Sequence, residues 1–354
     1  MRVSQYYIWS LWISSILLSA CLDVVQLDLP SEDEAGPLIV EGLITQGKGP
    51  HRVQVSRVTP IGIRNNIPAS LEKIWVENNH GQREDLAFLG EGLYELRSNT
   101  IEGIIGDEYR LHFISANGQS YTSAWDKLLP VSEIDSIYFE EVFEDRFANN
   151  GYLVGKSFID VYADVQLTTL PESPFMRWET ERWWLINEFI RASPPSKACY
   201  VNDPLLNQNR IQLFDGRGVA GGKWERQFIG SAEVDYRFFE KTYINLFQYS
   251  LTPNAYEYWQ KVEQVVNQEG DIFDSPPAAV AGNVRNDNSP SELVLGYFGA
   301  SAVDTFHFPI FRQDLETRVD WICTLPGINN RYSFHPCLQC LVLPNSIIER
   351  PYYW

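Results

Sequence analysis

The stretch PLIVEGLITQGKGPHRVQVSRVTP, residues 37–60, contains two short runs in which apolar and polar side chains alternate. The runs extend from Leu38 to Leu43 and from Arg52 to Val58. Alternation with a period of two places the apolar side chains on one face of an extended chain, as in a half-buried β-strand. This stretch therefore predicts two strands at the start of a mainly β fold.

Similar runs continue towards residue 129, with residues that favour tight turns between them. The further predicted strands are Lys73 to Asn78, Leu93 to Arg97, Glu108 to Ile114 and Gln119 to Ala124. Pairs such as Asn65-Asn66 and Asn117-Gly118 tolerate the positive φ values that hairpin turns need. The chain also contains 19 Phe, 18 Tyr and 11 Trp against 2 Met, a balance that favours sheet. We therefore predict an Ig-like β-sandwich of about seven strands over residues 37–129. The strand around Gly92-Leu93-Tyr94 also resembles that of the transthyretin-like sandwich found on many surface proteins.

The remaining residues, 130–354, are predicted to form a second and larger β-rich domain. The proposed boundary comprises Leu129 to Val131 and the acidic segment Glu140 to Asp145. Strand-like runs follow at 157–167, 175–189, 210–214, 236–251 and 293–299. One amphipathic helix is expected near 253–268, because Thr252 is a suitable cap and Pro253 suits the first helical position. The fold class is thus mainly β, with two β-sandwich domains and one inserted helix in the second.

The N-terminus has the pattern of a bacterial lipoprotein signal. Arg2 precedes an apolar run from Tyr6 to Leu18, which is too short to span a bilayer, and Leu18-Ser19-Ala20-Cys21 resembles a lipobox. We expect residues 1–20 to be removed and Cys21 to receive diacylglycerol and an N-acyl chain such as palmitate. Residues 21–36 are acidic and read as a tether, and acidic residues close to the acylated cysteine resemble surface-export signals.

Charge and length narrow the possible partners and the number of domains. The net charge of −18 becomes −19 once Arg2 is removed, and no cluster of Lys and Arg is present, so nucleic acid is not an expected partner. The 334 residues that remain after removal of residues 1–20 exceed what one core usually holds, which also favours two domains.

Four cysteines besides Cys21 are expected to form disulfides in an exported protein: Cys199, Cys323, Cys337 and Cys340. Four cysteines allow three connectivities. We favour pairing of Cys337 and of Cys340 with the distant Cys199 or Cys323, which would clamp the C-terminal tail to the second domain. A four-cysteine zinc site or a redox-active Cys-x-x-Cys are the alternatives.

Motifs of common enzymes are missing from the sequence. It has no HExxH, GxSxG, P-loop or GxGxxG, and its five histidines are isolated, so no catalytic residue, metal site or soluble cofactor is predicted. Glu179 and Glu181 share one face of a predicted strand and could form a glycosidase pair, although ion pairing with Arg177 is the simpler interpretation. Trp178, Trp183 and Trp184 in the same run could contact a ligand, with core packing as the alternative.

Several segments together resemble a known family. The segments are residues 37–60, Ile74 to Asn79, GEGLYELRS at 90–98, residues 256–301, and Cys337-Leu338-Gln339-Cys340 ahead of RPYYW at 350–354. In this order, and with the lipobox, they resemble the Bacteroidota outer-membrane lipoproteins grouped as domain-of-unknown-function family 4249. The resemblance implies an outer-membrane lipoprotein of unassigned activity, often encoded near SusC-type TonB-dependent receptors, without catalytic residues.

These observations lead to one functional expectation with two rivals. We expect a lipid-anchored protein of the outer membrane, facing the cell surface, that acts as a non-catalytic accessory or ligand-binding subunit of a TonB-dependent transporter or another outer-membrane β-barrel. The alternatives are a surface enzyme that acts on glycans and a structural or adhesive surface lipoprotein.

Overall fold

The computed structural model describes residues 36–59, 66–147, 153–168, 172–188, 197–203, 205, 211–219, 222–266, 279–324 and 335–354. The predicted signal peptide, Cys21 and nearly all of the tether lie outside these ranges. The described chain is mainly β, with several sheets arranged as two β-sandwiches and one inserted α-helix, as predicted. No helix within these ranges is both long and apolar enough to cross a bilayer.

The first sandwich is built from two sheets. Its strands are β1 (Leu38–Thr45), β2 (His51–Arg57), β3 (Ile67–Pro68), β4 (Leu71–Asn78), β5 (Arg83–Asp85), β6 (Ala87–Gly90), β7 (Leu93–Leu96), β8 (Glu108–Ser115), β9 (Ser120–Ser123), β10 (Asp126–Lys127), β18 (Val284–Asn286) and β19 (Val294–Ser301). One sheet has the order β19-β1-β2-β7-β6, with β3 on β2, and the other has the order β18-β9-β8-β4-β5, with β10 on β8.

The alternation seen in the sequence produces the core of this sandwich. In β8, every second side chain is buried, and Tyr109, Leu111 and Phe113 are fully inaccessible to solvent. The side chains between them face outward. Each strand thus contributes one apolar face to the space between the two sheets, and burial of that face is the main stabilising contribution.

Two strands of the first sandwich come from far along the chain. β19 runs parallel to β1, with Leu38 opposite Val294 and Thr45 opposite Ser301, and β18 pairs with β9. Residues 284–301, which the sequence analysis assigned to the second domain, therefore complete the first one. Without β19, β1 would expose its unpaired backbone groups at the sheet edge, and this pairing satisfies them.

The second sandwich has a three-stranded sheet facing a larger one. Its strands are β11 (Glu133–Phe147), β12 (Leu153–Gln166), β13 (Phe175–Asn187), β14 (Ala198–Asp203), β15 (Gln212–Asp215), β16 (Lys223–Glu233), β17 (Lys241–Leu251), β20 (Val303–Phe311) and β21 (Ser346–Ile347). The orders are β11-β12-β16 and β20-β17-β13-β14-β21, with β15 on β13. Fully buried Ile159 and Val161 of one sheet share a core with Ile244 and Leu246 of the other.

The acidic segment Glu140 to Asp145 is part of β11 and not a domain boundary, so this expectation is wrong. Two of its charges, those of Glu140 and Glu141, are compatible with a strand because they have partners. Glu140 forms an ion pair with Arg226 of β16, and Glu141 accepts hydrogen bonds from the backbone N–H groups of Glu316, at 2.6 Å, and Thr317, at 3.0 Å. Acidic composition alone therefore does not identify a linker.

The single helix in the described ranges, α1 (Pro253–Val266), begins at the predicted cap. Thr252 accepts a hydrogen bond through Oγ1 from the backbone N–H of Ala255 at 3.3 Å, as an N-cap does. Ala255 is the buried residue of this helix, whereas Tyr258 and Trp259 are half-buried. The predicted end near residue 268 lies outside the described residues.

Two disulfides hold the C-terminal segment. Cys199 of β14 is bonded to Cys340, and Cys323 to Cys337, with Cα–Cα distances of 5.8 and 5.6 Å. As predicted, the two cysteines of the Cys-x-x-Cys pair with Cys199 and Cys323 and not with each other. The first bond joins positions 141 residues apart and fastens the tail to the larger sheet of the second sandwich.

Candidate functional site

A pocket of about 270 Å³ lies where the two sandwiches meet beneath helix α1. The first sandwich contributes side chains and backbone from β1, β2, β10 and β19, and the second contributes β13, β17 and α1. This volume is close to the lower end of the roughly 300–1,000 Å³ typical of small-molecule sites. Pockets between structural units are common binding positions, so this one is the candidate site.

Aromatic side chains form much of the wall. Tyr258 and Trp259 reach the pocket from the first turns of α1, and Tyr297 reaches it from β19. The ring centroid of Tyr258 lies 4.9 Å from that of Tyr297 and 5.4 Å from that of Trp259. All three residues are half-buried, so each ring has one part in the protein and one part available to a bound molecule.

Arg177 of β13 is held rigidly in the same wall. Its guanidinium carbon lies 4.2 Å from the ring centroid of Trp259 and 4.7 Å from that of Tyr249, which are cation–π distances. Nη1 pairs with Glu179, whose other oxygen accepts a hydrogen bond from the Tyr249 hydroxyl at 2.9 Å. The buried Nε has no hydrogen-bond partner among the described residues, so one N–H donor is unused.

Asp126 of β10 is a buried acid that lines the pocket, with 3% of its surface exposed. Its Oδ1 accepts hydrogen bonds from the hydroxyls of Thr252, at 2.6 Å, and Tyr297, at 3.4 Å. Its Oδ2 accepts one from the backbone N–H of Ala300 at 2.9 Å. Burial raises the pKa of Asp126 to about 6, because desolvation disfavours the ionised form more than these donors favour it.

The position of Asp126 explains how the site is assembled. Thr252 is the cap of α1, so the carboxylate lies at the positive end of the helix dipole. Ala300 and Tyr297 belong to β19, the strand that returns to the first sandwich. One buried side chain therefore connects β10, β19 and the start of α1, which together surround the pocket.

Two further charged residues complete the lining at the rim. Glu41 of β1 and Arg52 of β2 both border the pocket and are exposed. Arg52 directs Nε towards Glu95 at 3.4 Å, with 61% of its side chain exposed. Such a pair contributes little to stability and leaves the arginine free to rearrange around a ligand.

The tryptophans singled out in the sequence do not line this pocket. Trp178 and Trp184 are each 3% exposed and lie in the core. Nε1 of Trp178 donates a hydrogen bond to Gln248 at 2.8 Å, and Trp184 packs edge-on against Tyr236. A ligand role is therefore not available to these two, and the packing alternative describes them. Trp183 is half-buried on the opposite face of β13 and donates to Glu181 at 3.0 Å.

Of the two carboxylates of β13, Glu179 follows the ion-pair interpretation from the sequence, whereas Glu181 accepts a hydrogen bond instead. Glu179 is engaged with Arg177 and Tyr249, and Glu181 with Trp183. Among the described residues, no group of three or more His, Cys, Asp and Glu is arranged to hold a metal ion. Cys21, the predicted lipid attachment site, lies outside the described residues.

Sequence reasoning missed the residues that build the pocket. Asp126 lies in a strand of two residues, and Arg177 and Tyr297 are 120 positions apart. One available signal was the adjacent pair Tyr258-Trp259, because two consecutive large aromatic residues are unusual in a helix that is otherwise only weakly apolar. The partners of these residues depend on the long-range return of β19.

These features define a class of protein: a mainly β protein of two sandwiches with a pocket of small-molecule size at their junction. The chain belongs to the family described as Domain of unknown function (DUF4249), whose model matches residues 23–307. The match includes all the residues that line the pocket, whereas both disulfides involve residues beyond it. No curated protein matches the chain.

Proposed function

We propose that the mature protein is an outer-membrane lipoprotein that captures a small ligand for a TonB-dependent transporter or another β-barrel. Its acylated Cys21 would anchor it in the outer membrane with the two sandwiches facing the cell surface. In this role the protein binds and hands over its ligand without breaking a bond. The lipobox and the acidic tether support the location, and the junction pocket supports the capture of a ligand.

One observation carries the binding role. At the pocket, a buried carboxyl group, a stacked arginine and three aromatic rings converge from both sandwiches and from α1. A few fixed polar groups in an aromatic wall are what orients a bound small molecule. Groups held by both sandwiches also link occupancy of the pocket to the way the two units fit together.

The bonding of the carboxylates supports binding more than catalysis. Glu179 is tied to Arg177 and Tyr249 through both of its oxygens. A general acid or nucleophile needs an oxygen free to reach the reacting bond. The charges in this region are better suited to holding a ligand in place.

The β11–β12 hairpin is a suitable surface for a protein partner. Phe143 is 74% exposed and Leu153 is 56% exposed near its described end. Exposed large apolar side chains are favourable anchors when a partner buries them. Phe143→Ser removes one such anchor, and Phe143 is not among the residues that line the pocket.

The test is affinity capture of the tagged full-length protein from native outer membrane in mild detergent. The wild-type protein should sediment with the membrane, carry a lipid on Cys21 and bring a β-barrel protein with it. Cys21→Ser should leave the membrane fraction, whereas Phe143→Ser should stay there and recover less of the barrel. Persistence of Cys21→Ser in the membrane, or capture of the wild-type protein without any barrel, would contradict the proposal.

A further inference from the structure

The charges around the pocket are balanced, although the chain as a whole has a net charge of −18. Glu41 and Asp126 line it with negative charge, and Arg52 and Arg177 line it with positive charge. A site for an anion or a cation alone would carry an excess of the opposite sign. This balance favours a ligand that carries both.

The negative side of the pocket lacks a counter-charge. The partners of Asp126 are two hydroxyls and one backbone N–H, and no described arginine, lysine or histidine forms an ion pair with it. Glu108, which is also acidic, is the charged residue that contributes most to the pKa of Asp126, and it raises this pKa further. A buried carboxylate in this situation is stabilised when a cation approaches.

The positive side has an unused donor. Stacking between Trp259 and Tyr249 fixes the plane of the Arg177 guanidinium, and Glu179 occupies Nη1. The buried Nε–H has no acceptor among the described residues. An arginine whose orientation is fixed in advance loses little entropy when it binds a carboxylate.

The aromatic residues fit between the two poles. The ring centroids of Tyr258 and Tyr297 are 4.9 Å apart, and both residues are close to the acidic groups. Tyr297 donates a hydrogen bond to Asp126. Burial and, to a smaller extent, the negative charge of Glu41 raise the pKa of the Tyr258 hydroxyl. Aromatic faces next to carboxylates attract ammonium groups. The small volume of about 270 Å³ restricts the ligand to a few groups.

We propose that the pocket binds a small zwitterion such as a free amino acid or a dipeptide, with its ammonium group towards Asp126 and Glu41 and its carboxylate towards Arg177. This inference rests on the proposed capture function, because it names the class of ligand for the same site.

The test is calorimetric titration of the lipidated full-length protein in detergent. The probes are the twenty free amino acids and glycyl dipeptides, followed by the N-acetyl and methyl ester forms of the tightest one, with glucose as an uncharged probe. The zwitterion should bind, and removal of either charge should weaken binding by about tenfold or more. Glucose should bind more weakly than all three.

Two variants test the two poles, and a third serves as a control. Asp126→Asn should weaken the zwitterion and leave the N-acetyl form unchanged, whereas Arg177→Gln should weaken the zwitterion and leave the methyl ester unchanged. Arg217→Gln is the matched control, because Arg217, like Arg177, pairs with a carboxylate and stacks on a ring but does not line the pocket. A melting curve for each variant verifies that it is folded.

The pH dependence provides a readout that packing alone would not produce. The pKa of Asp126 is raised to about 6, and Tyr297, Thr252 and Glu108 face or influence it while Glu41, Arg52 and Arg177 share the pocket. Binding of an ammonium group to the ionised form should strengthen by about tenfold from about pH 5 to about pH 7. Asp126→Asn should lose this dependence.

The outcomes separate this inference from the function beneath it. Equal affinity for the zwitterion and its blocked forms, tighter binding of glucose, or no binding by any probe would overturn the zwitterion assignment. The capture function would still stand if the barrel co-purifies and another molecule occupies the pocket. A protein that recovers neither barrel nor ligand from the native membrane would contradict both.

Discussion

The two disulfides should differ in how much they stabilise the protein. Cys199 and Cys340 are 141 residues apart, whereas Cys323 and Cys337 are 14 apart. In the chain-entropy model, a crosslink stabilises by restricting the unfolded chain, and the effect grows with the loop it closes. The model gives about 5 kcal/mol for the long loop and about 3 kcal/mol for the short one.

The comparison uses two double variants, Cys199→Ser with Cys340→Ser and Cys323→Ser with Cys337→Ser. All four side chains are almost completely buried, with exposures of 0 to 2%. The cost of burying a serine hydroxyl should therefore be similar in both variants and largely cancel. The long-loop variant should lose about 2 kcal/mol more free energy of unfolding than the short-loop variant.

The assay is urea unfolding of the whole protein, followed by near-ultraviolet circular dichroism, a spectrum in which most of the described tryptophans belong to the second sandwich. Reduction of the wild-type protein should shift the midpoint at least as far as the long-loop variant, and alanine versions control for the serine hydroxyl. Equal losses in the two variants, or a larger loss from the short loop, would refute the idea that loop closure dominates the effect.

The remaining predictions concern single side chains. Hydrogen bonds from Arg110, Arg83 and His112 outweigh burial and lower the pKa of Glu77 to about 2, so its stabilisation is present above about pH 4.5 and lost as the pH falls towards 2. Glu77→Gln should therefore reduce, by about 1–2 kcal/mol, the free energy of unfolding that the protein loses on acidification. The effect of pH on stability through Asp126 has the opposite sign, because its pKa is raised in the folded protein. The free energy of unfolding is therefore highest at low pH and falls by about 3 kcal/mol as the pH rises from about 4 through about 6. Asp126→Asn should remove this loss in urea titrations across that range, and an unchanged slope would contradict it. Trp178→Ala should cost about 3–5 kcal/mol in the same assay and Trp183→Ala about 1 kcal/mol or less, since the first leaves a core cavity and the second is on the outer face.

The sequence predicted those parts of the fold that depend on local patterns. Alternation located β1, β2 and β8 within a few residues, and Thr252 identified the start of α1. The sequence did not predict β11, because its acidic side chains resemble a solvated linker. The ion pair of Glu140 with Arg226 becomes apparent only in the folded structure. The sequence predicted that Cys337 and Cys340 would each pair with Cys199 or Cys323. Which of them pairs with which became clear only from the three-dimensional arrangement.

The site could not be predicted because it depends on contacts between distant segments. The pairing of Leu38 with Val294 has no local signal, and it brings Tyr297 and Ala300 to Asp126. Tryptophans drew attention to β13 because they are large, yet size alone does not separate a core residue such as Trp178 from a binding residue. Arg177, in the same strand, is the residue that reaches the pocket.

The proposed capture function requires a small ligand in the junction pocket of the lipid-anchored protein. Native mass spectrometry of the intact protein released from its own outer membrane measures this directly, with Tyr258→Ala as the variant that removes one wall of the pocket. We expect the wild-type protein to carry acyl chains and one additional small molecule, and Tyr258→Ala to carry the acyl chains alone. A wild-type protein without the small molecule, or a Tyr258→Ala variant that retains the small molecule equally well, would contradict the proposed capture function.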